Sequence, residues 1–146
     1  MHTGLYNKSR CNEVLSDDAV ITNTIALLMY DLNSLKVIND TYGHEMGDKV
    51  IVDFAKMIKS VAGKDDFIGR FGGDEFIVIF ENTNKTKVEK YILEVEVLTN
   101  IYNSANKVKI SYAVGYSISS DYEQVTLKDL LRYADQFMYE NKKHNK

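Results

Sequence analysis

The 146-residue chain contains no proline, and nothing functional follows from that absence. It contains one cysteine, Cys11, which excludes an internal disulfide and a cysteine-built zinc site. Cys11 itself is read as a partly buried helix residue. No apolar run approaches the roughly 20 residues that span a bilayer, and no signal-peptide pattern is visible. These absences predict a cytoplasmic domain that makes no membrane contact of its own. Basic charge is not in excess either. The formal net charge is −3, so no global field draws nucleic acid. An anionic ligand therefore needs local cations or a metal ion. Internal repeats, low-complexity tracts and linkers are also missing.

What is present is an ordinary globular balance, 45% hydrophobic and 27% charged, in a length that suits one domain spanning 1–146. Asn7 caps a first helix reaching about Ser16. Ile25 to Tyr30 is a continuous apolar run ending at Asp31, which reads as a buried central strand. Lys36 to Asp40 is a short helical turn. From Glu45, the residues Met46, Val50, Phe54, Met57, Ile58 and Val61 recur at helical spacing. Phe67–Phe71 and Phe76–Phe80 read as strands across a glycine turn. A third long helix carries Val88, Tyr91, Ile92, Val95, Leu98 and Tyr102. Val108 to Ile118 alternates as a strand. Thr126 caps a last helix with Leu127, Leu130, Leu131, Ala134 and Met138 on one face. The order α-β-α-α-β-β-α-β-α predicts an α/β sandwich of the α+β kind, a mainly antiparallel central sheet flanked by helices.

The chemistry concentrates in residues 70–80, Arg-Phe-Gly-Gly-Asp-Glu-Phe-Ile-Val-Ile-Phe. Gly72 and Gly73 suit the positive φ of a tight two-residue hairpin, and they leave room for a phosphate-bearing ligand. Asp74 and Glu75 are hard oxygen donors of the kind that hold Mg²⁺. If the strands are neighbours, Asp31 and Asp74 meet at one sheet edge. Two acids suffice for Mg²⁺, because substrate phosphates complete its shell. Taken alone, Asp31 also reads as a strand-end acid capping the next turn. Lys36 can reach a phosphate as a point charge, or lie solvated. Asn39 and Asp48 match guanine. A carboxylate accepts from the N1 and N2 donors, and an amide can donate as well as accept. Their alternative reading is turn formation and helix capping around Gly43 and Gly47. His44 has no second histidine or cysteine at ligand spacing, so it reads as pocket-lining or structural.

Together these residues resemble the GGDEF family of diguanylate cyclases, over almost the whole chain. Thr3-Gly4-Leu5-Tyr6-Asn7-Lys8 looks like the family's opening motif. Asp31-Leu32, Lys36, Asn39-Asp40, Gly43-His44 and Gly47-Asp48 match its metal and guanine segment. Gly72 to Phe76 is its naming motif, intact. Leu130-Leu131, Ala134-Asp135, Tyr139 and Lys142 resemble its closing helix. The resemblance implies a fold similar to the palm of nucleotide polymerases and class III cyclases. It implies Mg²⁺, or Mn²⁺ in its place, held by Asp31, the Leu32 carbonyl and Asp74. Asn39, His44 and Asp48 would line the guanine end, with Gly72 and Gly73 beside the substrate. Lys36, Lys142 and the terminal Lys146 would lie near the phosphates. The implied reaction condenses two GTP into cyclic di-GMP and two pyrophosphates across a transient two-fold homodimer, with Asp74 and Glu75 as catalytic residues.

Several positions depart from the family pattern. Asn33 replaces a common second aspartate, and Ser34 a common aromatic residue. The family's product-inhibition site calls for Arg-x-x-Asp. Asp66 is in place, but Gly63 occupies the arginine position and Lys64 follows one place off. Weak or absent feedback is expected. The chain begins inside the opening motif, which suggests a domain cut from a longer protein with an amino-terminal sensor, a parent that membrane anchoring would also suit. Three other functions compete with the active cyclase: a catalytically silent GTP-binding regulatory module, a cyclic di-GMP receptor, and an enzyme joining other nucleotides.

Overall fold

The computed structural model describes residues 2–144, with side chains through Lys142. Four strands form one antiparallel sheet: β1 (Ile25–Leu32), β2 (Phe67–Arg70), β3 (Glu75–Glu81) and β4 (Tyr112–Ile118). Their order is β2-β3-β1-β4. The helices are α1 (Lys8–Leu15), α2 (Leu35–Tyr42), α3 (His44–Val61), α4 (Lys85–Ala105) and α5 (Leu127–His144). The predicted order of elements and the predicted class are both observed.

β1 is central, so both its faces are covered, which is why it reads as an unbroken apolar run. Ala26, Leu28, Tyr30 and Leu32 point into one core with Val50, Phe54 and Ile58 of α3 and Val88, Tyr91 and Val95 of α4. Leu27 and Met29 point the other way, to Cys11 and Leu15 of α1 and to Leu130, Ala134 and Met138 of α5. The period of two in the strand thus feeds two separate helix layers. Cys11 is fully buried rather than partly, and burial pushes its thiol up to about 11. A thiol held protonated in this way is inert.

The caps follow the sequence. Asn7 accepts from the Arg10 amide at 2.9 Å. Thr126 and Asp129 cap each other reciprocally, each side chain accepting from the other's backbone N–H at 3.3 and 3.0 Å.

Two expectations are corrected. The last strand begins at Tyr112, not Val108. Its partner β1 stops at Leu32, which pairs with Tyr112, so residues before it have no strand to join. The Asn103 side chain takes over that role, donating to the Ile110 carbonyl and accepting from its N–H, both at 2.8 Å. The glycine turn is also wider than a two-residue hairpin. β2 ends at Arg70 and β3 starts at Glu75, and the Phe71 N–H donates to the Glu75 carbonyl at 2.8 Å. With four residues to turn in, neither Gly72 nor Gly73 adopts positive φ.

α5 lies unusually close to β4. A Cβ on Gly115 would stand 2.1 Å from the Met138 nitrogen and 2.4 Å from the Ala134 carbonyl oxygen.

Candidate active site

Asp31 and the glycine loop meet because β1 and β3 run side by side. Asp31 stands opposite Glu75 in the register, and the Leu32 N–H donates to the Asp74 carbonyl at 2.8 Å. The end of β1 is therefore stapled to the loop that carries the acids. Lys142, near the end of α5, reaches across to donate to Asp31 Oδ2 at 2.8 Å. The other carboxylate oxygen, Oδ1, is buried and has no hydrogen-bond partner among the described residues. A buried carboxylate oxygen left unpaired is costly, and a bound cation would relieve that cost.

Like charge is concentrated here. Burial raises the Asp74 pKa above the usual carboxylate range, and the neighbouring Asp31 raises it further. Glu75 is raised for the same reasons, by burial first, then by Asp31 and Asp74. The hydrogen bond to Asp31 raises Lys142. Acids pressed together this way gain from a nearby positive charge. Among the described residues, no group of three or more His, Cys, Asp or Glu stands at metal-holding distance. The carboxylates gathered here are those of Asp31, Asp74 and Glu75, which act on one another electrostatically. That set, with an orphaned oxygen on one acid, fits an ion that takes further ligands from phosphates.

The other predicted residues lie on α2 and α3. Ser34, in the left-handed region at φ 63°, turns the chain from β1 into α2, where Lys36 is exposed and Asn39 half-buried. Gly43, at φ 95°, joins α2 to α3. His44 opens α3 and is exposed, as is Asp48. Gly47 and Asp48 lie inside α3, so Asp48 does not cap that helix. The Asn39 amide packs on Gly47, the residue before Asp48. With Lys36, His44 and Asp48 all exposed, this end is an open face. Lys146 lies outside the described residues.

The glycines serve different ends. A Cβ on Gly72 would stand 2.7 Å from Glu75 Oε1, whereas one on Gly73 would meet nothing within 4 Å. Gly73 faces open space, as a close approach by a ligand requires.

The whole chain, residues 1–146, matches the family model for the diguanylate cyclase GGDEF domain. The chain belongs to the GGDEF domain family. It is 35% identical to diguanylate cyclase A of Treponema denticola over 127 residues, covering 84% of this chain and 34% of that protein. It is 32% identical to the probable diguanylate cyclase DgcC of Escherichia coli K12 over 146 residues, covering 97% of this chain and 39% of that protein. The chain thus spans little more than a third of these relatives. The crystal structure of the GGDEF domain of DgcB from Caulobacter crescentus, in complex with c-di-GMP, superposes with a TM-score of 0.78. It is 26% identical and covers 97% of this chain and 88% of that one. The palm-like fold expected from the resemblance is therefore observed.

In this GGDEF domain, one residue of the site was not singled out from the sequence. Arg70 donates through Nε to the Gly72 carbonyl at 3.2 Å and through Nη2 to the Gly73 carbonyl at 2.7 Å. Its planar fork clasps both glycine carbonyls and ties the loop to the end of β2. The available signal was its place two residues before the motif, at the end of a strand. A cleft of about 790 Å³, lined by Tyr6, Lys8, Arg10, Arg70, Gly72 and Gly73, lies on the amino-terminal side of the loop. Asp66 Oδ2, in the place of the family's Arg-x-x-Asp acid, accepts from the Gly63 N–H at 2.6 Å. That acid is engaged by its own turn. Among the described residues, no helix is long and apolar enough to cross a membrane.

Proposed function

We propose that this GGDEF domain is an active diguanylate cyclase that condenses two GTP into cyclic di-GMP. The observation that carries the reading is Asp31, half paired and half orphaned, beside an intact Gly-Gly-Asp-Glu-Phe loop. Mg²⁺, or Mn²⁺, held by Asp31, Asp74 and the Leu32 carbonyl would neutralise phosphate charge and acidify the attacking hydroxyl.

The residues supply the remaining chemistry. The 3′-hydroxyl of one GTP attacks the α-phosphate of the other, a P–O bond forms, and the bond to pyrophosphate breaks. This happens twice, once from each protomer of a two-fold dimer. The hydroxyl proton passes to the Asp74–Glu75 pair, whose raised pKa values bring them closer to the range of a working base. Asn39 and Asp48 read the guanine, with His44 at the pocket edge. An adenine would leave Asp48 without a donor, a mismatch worth roughly 1–3 kcal/mol. Lys36 and Lys142 neutralise phosphate oxygens, and Gly73 allows the close approach.

One observation favours a second reading, a silent GTP-binding module. Lys142 already occupies one oxygen of Asp31. Product formation decides between the two. Chromatography with mass detection, on GTP and Mg²⁺ over a range of protein concentrations, is expected to show cyclic di-GMP rising faster than linearly with protein. No product at any concentration would leave the silent module.

Feedback through the Arg-x-x-Asp site is expected to be weak or absent, because Gly63 offers no guanidinium and Asp66 is held by its own turn. Tight cyclic di-GMP binding in calorimetry, lost in Asp66→Ala, would overturn this.

A further inference from the structure

We infer that Gly47 is a positioning residue for base recognition, a glycine kept so that the Asn39 amide can rest against α3 beside Asp48. The inference depends on the reading of Asn39 and Asp48 as the guanine readers.

Neither helix propensity nor backbone conformation calls for a glycine at this point. Gly47 lies inside α3, where glycine is the poorest helix former after proline. Its φ is not positive, unlike that of Gly4 and Gly43, so the backbone does not require it. It is buried, and what covers it is Asn39. A Cβ there would stand 1.7 Å from Asn39 Oδ1, 2.9 Å from Cγ and 3.5 Å from Nδ2. The first of these is an impossible distance for non-bonded atoms, so something must move. The obstacle is the tip of one side chain, and side chains swing more easily than helices part. Alanine at 47 would therefore leave α2 and α3 in place and evict the Asn39 amide. Binding should fall while stability holds, since alanine favours the helix.

The opposite case is Gly115, where the obstacles are the backbone atoms of α5. There the helix itself must move.

The test is a double-mutant cycle, read by calorimetry with a non-hydrolysable GTP analogue and Mg²⁺. Gly47→Ala and Asn39→Ala are each expected to weaken binding by about tenfold or more. The double variant should bind within about twofold of Asn39→Ala alone, because both changes remove the same contact. The melting temperature of Gly47→Ala should be unchanged or higher. Independent losses that multiply, or wild-type affinity in Gly47→Ala, would overturn the inference. A readout without ligand separates it from the functional reading. The Asn39 side-chain amide resonances should shift in ligand-free Gly47→Ala, and unchanged resonances would overturn the packing argument. Wild-type protein that binds no analogue would overturn guanine recognition itself, whatever the amide resonances show.

Discussion

Asp74→Ala is expected to abolish cyclic di-GMP formation, with a loss on the order of a thousandfold or more, ~4 kcal/mol of barrier. The size follows from two roles falling on one carboxylate. Asp74 is a candidate metal ligand beside Asp31, and it is one of the two acids proposed above to take the hydroxyl proton. Its backbone position should survive the change, because the Leu32 bond goes to the Asp74 carbonyl rather than to the side chain. The fold should therefore persist, with unchanged circular dichroism. Removing one of a set of crowded acids also relieves repulsion, so the melting temperature should hold or rise. A variant with more than a tenth of wild-type turnover would remove Asp74 from the chemistry.

Gly115→Ala is expected to cost about 2–3 kcal/mol of stability, lowering Tm by roughly 6–10 °C. The added carbon would collide with Met138 N and Ala134 O, and neither atom can rotate away. The helix must lift off β4, which opens the layer formed by Leu130, Ala134 and Met138. Lys142 rides on the same helix, one turn beyond Met138, so its pairing with Asp31 should loosen too. Urea denaturation is the direct measurement. A loss under about 0.5 kcal/mol would show that α5 has slack against the sheet.

The sequence was most informative where a single element decides its own fate. The apolar face of α3 and the acid near the end of β1 could be read from spacing alone. So could the Asn7 and Thr126 caps, because a cap is a local hydrogen bond. Misreadings arose where distant parts meet. Val108 and Ile110 alternate like a strand and are buried, yet a strand needs a partner, and β1 ends too soon to be one. Gly72 and Gly73 look like a tight turn because glycine permits positive φ, but permission is not requirement. Arg70 is not legible as a site residue because it holds carbonyls, which leave no mark in composition. In the sequence Gly47 reads as a turn or capping position. Its contact with Asn39 depends on how two helices fold back on each other.

The pairing of Lys142 with Asp31 joins residues 111 apart in the chain. A ribosome releases Asp31 long before it releases its partner. Until residues 112–118 emerge, one edge of β1 has no strand beside it, and an open apolar edge of this kind invites pairing with other chains. Long-range closures of this type slow folding, since the intervening loops must be ordered before any contact is gained. Asp31 and the acids of the glycine loop are thus among the last residues to find their final surroundings. A nascent chain stalled before α5 would carry the complete Gly-Gly-Asp-Glu-Phe motif and still lack the site.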